Sequence, residues 1–190
     1  MKKIKKFKIS LRKREVLRNL KLISEIKEIT PQLEEIISKE IEKSIEYIHP
    51  ASVFETFSID ELNKKFGLKF EQQYPAISII VVTIGNEIEK IIEELKSRGE
   101  ILHSQIVHSI GIEACESSKN FIYKIIDEEA KEEECILLAP EKQNEENSKN
   151  IIRNFDVKRI GVFIDDKNTI QPIYTDVSIV KWQTRTKKQS

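Results

Sequence analysis

Residues 77–84, Ile-Ser-Ile-Ile-Val-Val-Thr-Ile, constrain this chain more than any other stretch. Every residue but Ser78 is β-branched, which favours a pleated backbone, and eight residues are too few for a buried helix. The run also lacks the apolar/polar alternation of a strand with one wet face, so it predicts a central strand covered on both sides. The chain must then supply two apolar layers. Its 39% hydrophobic content is enough for that, and the 34% of charged residues can clothe the outside. The run is far short of the roughly 18 to 20 apolar residues that a membrane span needs.

The covering layers are legible as helices. Thr30-Pro31 is a helix start, a hydroxyl N-cap followed by proline at the first helical position. Leu33, Ile36, Ile37, Ile41, Ile45 and Ile48 follow at helical spacing until His49-Pro50 ends the segment. Residues 53–57 read as a strand and residues 60–66 as a short helix stopped at Gly67. After the central strand, Gly85-Asn86 turns the chain. Ile88, Ile91, Ile92 and Leu95 then define a helix ending at Gly99. The longest helix is predicted over about 100–128, with Leu102, Ile106, Ile110, Ala114, Phe121 and Ile125 along one face. Gly111 sits in its interior, where glycine costs about 1 kcal/mol against alanine. Another backbone or a bound molecule is therefore expected to come close to it.

The last third is less regular. Residues 135–138 form a short strand-like run broken by Ala139-Pro140, and a brief helix carries Ile151, Ile152 and Phe155. Residues 159–164 and 169–174 suggest a hairpin through Asp165-Asp166-Lys167-Asn168, with 177–182 as a further strand. These elements give an α+β domain over 23–182, preceded by a basic arm and short helix over 1–22 and followed by a disordered tail over 183–190.

Thirty-two basic and 32 acidic side chains cancel overall, but they are segregated: residues 1–22 hold ten Lys and Arg, among them Lys2, Lys3, Lys5, Lys6, Lys8 and Arg12, against the single acid Glu15. Such a block can contact nucleic acid or simply be a solvated or partner-docking surface. Phe7 is the one aromatic residue interleaved with these cations, too few to stack a run of bases, which favours the second reading. Ser10 is the expected cap of the short helix bearing Val16, Leu17 and Leu20. The lysines precede no apolar leader segment, and Cys115 and Cys135 form no C-x-x-C pair, so a cytoplasmic protein with reduced thiols is expected.

Among residues that could carry chemistry, His103, His108 and Cys115 share the long helix but not the i, i+4 spacing of a helical metal site. His108 and Cys115 can still line one groove. No phosphate-cradling glycine loop, nucleophile elbow or zinc-peptidase motif occurs. The bare residues lead to an α+β domain without an evident catalytic constellation.

One set of segments goes further. Val81-Val82-Thr83-Ile84-Gly85-Asn86-Glu87-Ile88-Glu89, Glu93-Glu94-Leu95, Gly99-Glu100, Ile110-Gly111 with Glu116, and Ile160-Gly161-Val162 followed by Pro172 resemble the activation domain of cobalamin-dependent methionine synthase. Arg14-Glu15-Val16-Leu17-Arg18-Asn19-Leu20 and the stretch from Pro50-Ala51 to Phe57 resemble the extension of its short, stand-alone relatives. The resemblance implies a bent, mainly antiparallel sheet flanked by helices, with a helical N-terminal extension. It also implies a non-catalytic accessory role, binding a corrinoid (cobalamin) methyltransferase and supporting its reductive reactivation. The partner would be a methionine synthase lacking its own activation domain, with cobalamin reached only through that partner. S-adenosylmethionine is the implied ligand, and Thr83, Gly85, Gly111, Ala139 and Pro140 its implied contacts. The family's R-x-A/S-P-G-Y segment corresponds here to Leu137-Leu138-Ala139-Pro140-Glu141-Lys142, where the arginine, glycine and tyrosine are replaced. Loss of a bidentate carboxylate clamp predicts weak S-adenosylmethionine binding at best. The alternatives are another small molecule held over Gly85 and Gly111 and, less favoured, nucleic acid on the basic arm.

Overall fold

The computed structural model describes residues 1–26, 28–70 and 73–185. In chain order the elements are β1 (Lys2–Lys5), α1 (Lys13–Ile23), α2 (Pro31–Ser44), β2 (Ala51–Phe57), α3 (Ile59–Phe66), β3 (Ile77–Thr83), α4 (Glu87–Ser97) and α5 (Ile101–Glu132). They continue with β4 (Cys135–Leu137), β5 (Glu141–Lys142), α6 (Glu145–Asn154), β6 (Phe163–Ile164), β7 (Ile170–Gln171) and β8 (Thr175–Thr184). The main sheet runs β1-β2-β3-β8, and both β4 and β5 pair with the far edge of β8. Every pairing is antiparallel, and the sheet curls into a half-barrel flanked by helices.

All seven residues of β3 are buried, as the β-branched run requires. Ile77, Ile79 and Val81 face one layer, built from Leu62 and Phe66 of α3 and Ile151, Ile152 and Phe155 at α6. Ile80 and Val82 face the other, where Ile122, Ile126 and Ala130 of α5 close on Phe54, Val180 and Trp182. A third cluster joins the first half of α5 to α1, α2 and α4 through Val16, Leu20, Ile37, Ile88, Ile106 and Ile110. The buried row of α5 is Ile106, Ile110, Ala114, Ser118, Ile122, Ile126 and Ala130. Steps of four residues rotate about 40° each around the axis, so this row serves helices at one end and the sheet at the other. The predicted face was offset from it: Leu102 is exposed, while Phe121 and Ile125 only flank the row.

The local signals hold where they rest on capping chemistry. Thr30 Oγ1 accepts the Leu33 amide 3.3 Å away, and Gly67 closes α3 with φ +65°. Ser58 and Glu61 add a capping box at the start of α3. Other expectations need correction. Ser10 does not cap α1; Arg12 holds that position and makes no side-chain cap. The stripe of α2 narrows to Leu33 and Ile37 with Ile41 partly buried and Ile36 exposed, and beyond the helix end at Ser44 Ile45 is exposed while Ile48 is buried. The 159–164 arm of the hairpin begins inside a 3-10 turn over Val157–Ile160 that Gly161 ends, leaving β6 and β7 two residues each. Gln183 and Thr184 belong to β8, not to a tail, while 186–190 lie outside the described residues. The basic segment is stitched into the fold, because β1 pairs with β2 from Lys2↔Phe54 to Lys5↔Ala51.

Candidate functional site

A cleft of about 240 Å³ opens between α5, the start of β8 and β5. From α5 it takes His108, Ile112, Cys115, Glu116 and Lys119, spaced to lie on one side of a helix. The segment leading into β8 brings Ile173, Tyr174, Thr175 and Asp176, and β5 brings Lys142. No helix among the described residues is long and apolar enough to cross a membrane.

Tyr174 anchors the apolar end. Its ring lies over Gly111, so close that a Cβ there would stand 2.6 Å from Tyr174 Cε1 and 3.1 Å from Ile88 Cγ2. The close approach expected at Gly111 is therefore made by a tyrosine ring and by α4, not by sheet backbone. The Tyr174 hydroxyl is 2.5 Å from His108 Nδ1. Burial, and then Lys96, lower the His108 pKa, while burial raises that of the Tyr174 phenol. Near neutral pH the contact therefore joins a neutral imidazole to a protonated phenol, with the imidazole tautomer setting which of the two donates. Glu89 of α4 braces the same segment by accepting the Ile173 amide at 2.5 Å. Its carboxyl is raised by burial, against the pull of the Ile173 and Tyr174 amides.

The other end is charged. Asp176 is 6% exposed, accepts the Ser178 hydroxyl, and has its free oxygen 4.0 Å from both Lys119 and Lys142. Lys119 donates to Glu116 at 2.6 Å. Burial acts to lower the Lys119 pKa, but Asp176 and Glu116 outweigh it and the ammonium is held above its ordinary value. Cys115 borders the group, its thiol pushed up to about 12 by burial and then by Asp176, so it stays protonated. The cleft thus joins an apolar wall to two ammoniums and two carboxylates of zero net charge, an arrangement suited to holding a zwitterion. Among the described residues no group of three or more His, Cys, Asp and Glu is placed to hold a metal ion.

The structure does not bring the five implied contact residues together. Thr83 ends β3 opposite Thr175, and its hydroxyl is occupied by the Gly85 amide at 3.2 Å. Gly85 turns there with φ +82°, beside His49. Gly111 lies beneath Tyr174. Ala139 and Pro140 are elsewhere: Leu138 donates to the Lys181 carbonyl and Glu141 stands opposite Ile179. That is four to six residues along β8 from Thr175, or about 13–20 Å at the usual strand rise. A single groove beside Thr83, Gly85 and Ala139 is therefore not formed, because β8 separates them. Of the replaced segment only Lys142 reaches the cleft. Glu141 pairs with Lys181 at 2.7 Å, and Leu137 packs beside the cluster of Trp182. His108 and Cys115 do share the cleft, as their spacing allowed. Lys119, Asp176 and Tyr174 were missed. The available signal was a lysine three residues after Glu116 on a helix that is otherwise buried along this stretch.

The His108 environment carries a pH prediction. A histidine whose folded pKa lies below its ordinary 6.5 binds fewer protons folded than unfolded, so stability is fully present above 6.5 and falls as pH drops toward the folded value. Denaturant titrations from about pH 7.5 to about pH 5.5 are expected to show this loss, and His108→Gln to flatten it. Glu89, raised from 4.5, acts in the opposite sense: its contribution is fully present below 4.5 and is lost as pH rises through the folded value, and it is common to both proteins. Parallel slopes for the two proteins would show that His108 is not desolvated.

The sequence matches no family model and no curated protein sequence. Among solved structures, the chain is similar over its full length to 80% of the MetH reactivation domain bound to AdoHcy, with a TM-score of 0.61 and 10% sequence identity. That likeness shows a shared fold.

Proposed function

We propose that this chain is an accessory protein of a corrinoid methyltransferase that assists its reductive reactivation. The observation that carries the reading is that the whole chain, N-terminal extension included, follows the fold of a reactivation domain. The cleft gives local support. Its paired ammoniums and carboxylates fit the amino-acid end of an adenosyl-type ligand such as S-adenosylmethionine or S-adenosylhomocysteine, and its Ile112, Ile173 and Tyr174 wall fits an aliphatic chain. When bound, S-adenosylmethionine would supply a methyl group to the partner's cobalt. The residues of this chain would bind and orient it. At about 240 Å³ the cleft is smaller than the roughly 300–1,000 Å³ of a typical ligand pocket, and a lysine offers a point charge where a guanidinium would clamp in two places. Weak binding of the free ligand follows, with the partner completing the enclosure.

The test uses a cobalamin-dependent methionine synthase lacking its activation domain, inactivated by oxidation of its cobalamin. Adding the natural protein with S-adenosylmethionine and an electron donor is expected to restore turnover. Lys142→Glu should weaken that rescue about tenfold, the cost of losing one charge-assisted contact. No restored turnover with the natural protein would overturn the reading. Tight calorimetric binding of an unrelated zwitterion would instead favour a small-molecule binding protein on the same fold.

A further inference from the structure

The N-terminal segment runs antiparallel along α5. Lys2 pairs with Glu129, Phe7 stacks on Phe121, the Ser117 hydroxyl donates to the Ser10 carbonyl and Arg12 grips Glu113. Between segment and helix lies a groove of about 570 Å³, separate from the cleft. Ile9 and Phe121 supply its apolar surface, Lys8, Arg12 and Lys124 its charge, and no carboxylate lines it. Glu113 neutralises Arg12, but Lys8 and Lys124 make no ion pair among the described residues, nor do Lys3, Lys5 and Lys6 on the approach. A preformed groove edged by unspent cations is poor design for a surface that meets only water.

We propose that this groove docks an extended acidic segment of a partner protein, with its carboxylates on Lys8 and Lys124 and an apolar side chain against Ile9 and Phe121. Charge complementarity selects the sign of the occupant. The rings favour a peptide over nucleic acid: Phe7 and Phe121 are 4.5 Å apart and 9° from parallel, so each takes up one face of the other and no separate row of rings is left for successive bases. The Tyr123 hydroxyl is likewise turned to the Leu137 carbonyl. The proposal does not depend on the cleft or on the corrinoid reading.

Fluorescence anisotropy tests it with a labelled peptide of about twelve residues, alternating glutamate with small residues and carrying one leucine. Saturable binding to the full chain is expected, weakening with added salt and falling about tenfold in Lys8→Glu/Lys124→Glu. Both side chains are exposed, so the double variant should melt like the natural protein. Lys158→Glu/Lys167→Glu, near and on the distant hairpin, should bind as the natural protein does. Absence of saturable binding, equal affinity in Lys8→Glu/Lys124→Glu, or tighter binding of a single-stranded RNA of equal charge would overturn the proposal.

Discussion

Replacing Gly111 by leucine is expected to cost about 3 kcal/mol and to lower the melting temperature by about 6–12 °C for a chain of this size. The space beside Gly111 is already filled: a lone Cβ would fall 2.6 and 2.7 Å from two ring carbons of Tyr174. The ring cannot easily yield. Tyr174 is 6% exposed, its hydroxyl is held by His108 and its carbonyl accepts the Ile84 amide at 3.3 Å. Gly111→Ala should fall between, since about 1 kcal/mol of helix propensity offsets part of the clash. Combining Gly111→Leu with Tyr174→Ala should recover a good part of the loss, because the new side chain enters the volume that the ring vacates. An unchanged melting temperature for Gly111→Leu would show that α5 does not press on Tyr174.

Gly111 also marks how far the amino-acid sequence could be read. A glycine inside a long helix signals a close approach, but the residue that makes it, 63 positions later, cannot be read from local pattern. The same holds for β8. Its central position between β3 and the β4/β5 edge was underread because Asp176 and Ser178 are buried within it, and buried polar residues erase the apolar run that revealed β3. The tertiary structure satisfies them: Ser178 donates to Asp176, and Trp182 Nε1 donates to Ser78 at 2.8 Å. β1 was hidden for the opposite reason. Lys-Lys-Ile-Lys has no strand pattern, and it is a strand only because β2 offers it a free edge. The bent sheet and its helices were legible through β3, the caps of α2 and α3 and the family resemblance. The cleft was not, because Lys119, Asp176 and Lys142 come from three elements and meet only after the sheet closes.

The attachment of the N-terminal segment carries the second large effect. Glu113 is 1% exposed in the middle of α5, and its carboxylate accepts from Arg12 N at 3.2 Å, Arg12 Nε at 2.8 Å, a terminal guanidinium nitrogen at 3.1 Å and the Ser117 hydroxyl at 2.8 Å. Arg12→Ala would leave a carboxylate beneath the segment with only one side-chain donor and one amide. Stripping one partner from a fully buried pair costs about 3–5 kcal/mol; Arg12 is half exposed and water can enter, so about 2 kcal/mol is expected in denaturant unfolding. Arg12→Lys should lose about half as much, because the charge survives while the forked geometry does not. Arg12→Ala/Glu113→Leu should be more stable than Arg12→Ala alone, since the buried site then holds no charge to strand. This ordering separates a clamp from an ornament. A surface ion pair would give a loss below about 0.5 kcal/mol and no gain from the second substitution. Such a result would mean that α1, with Val16 and Leu20 fully buried, holds to α5 by apolar packing alone. The strap beside the acidic-segment groove would then be fixed by its other ties, the ladder of β1 with β2, the ion pair of Lys2 with Glu129 and the Ser117 hydroxyl on the Ser10 carbonyl.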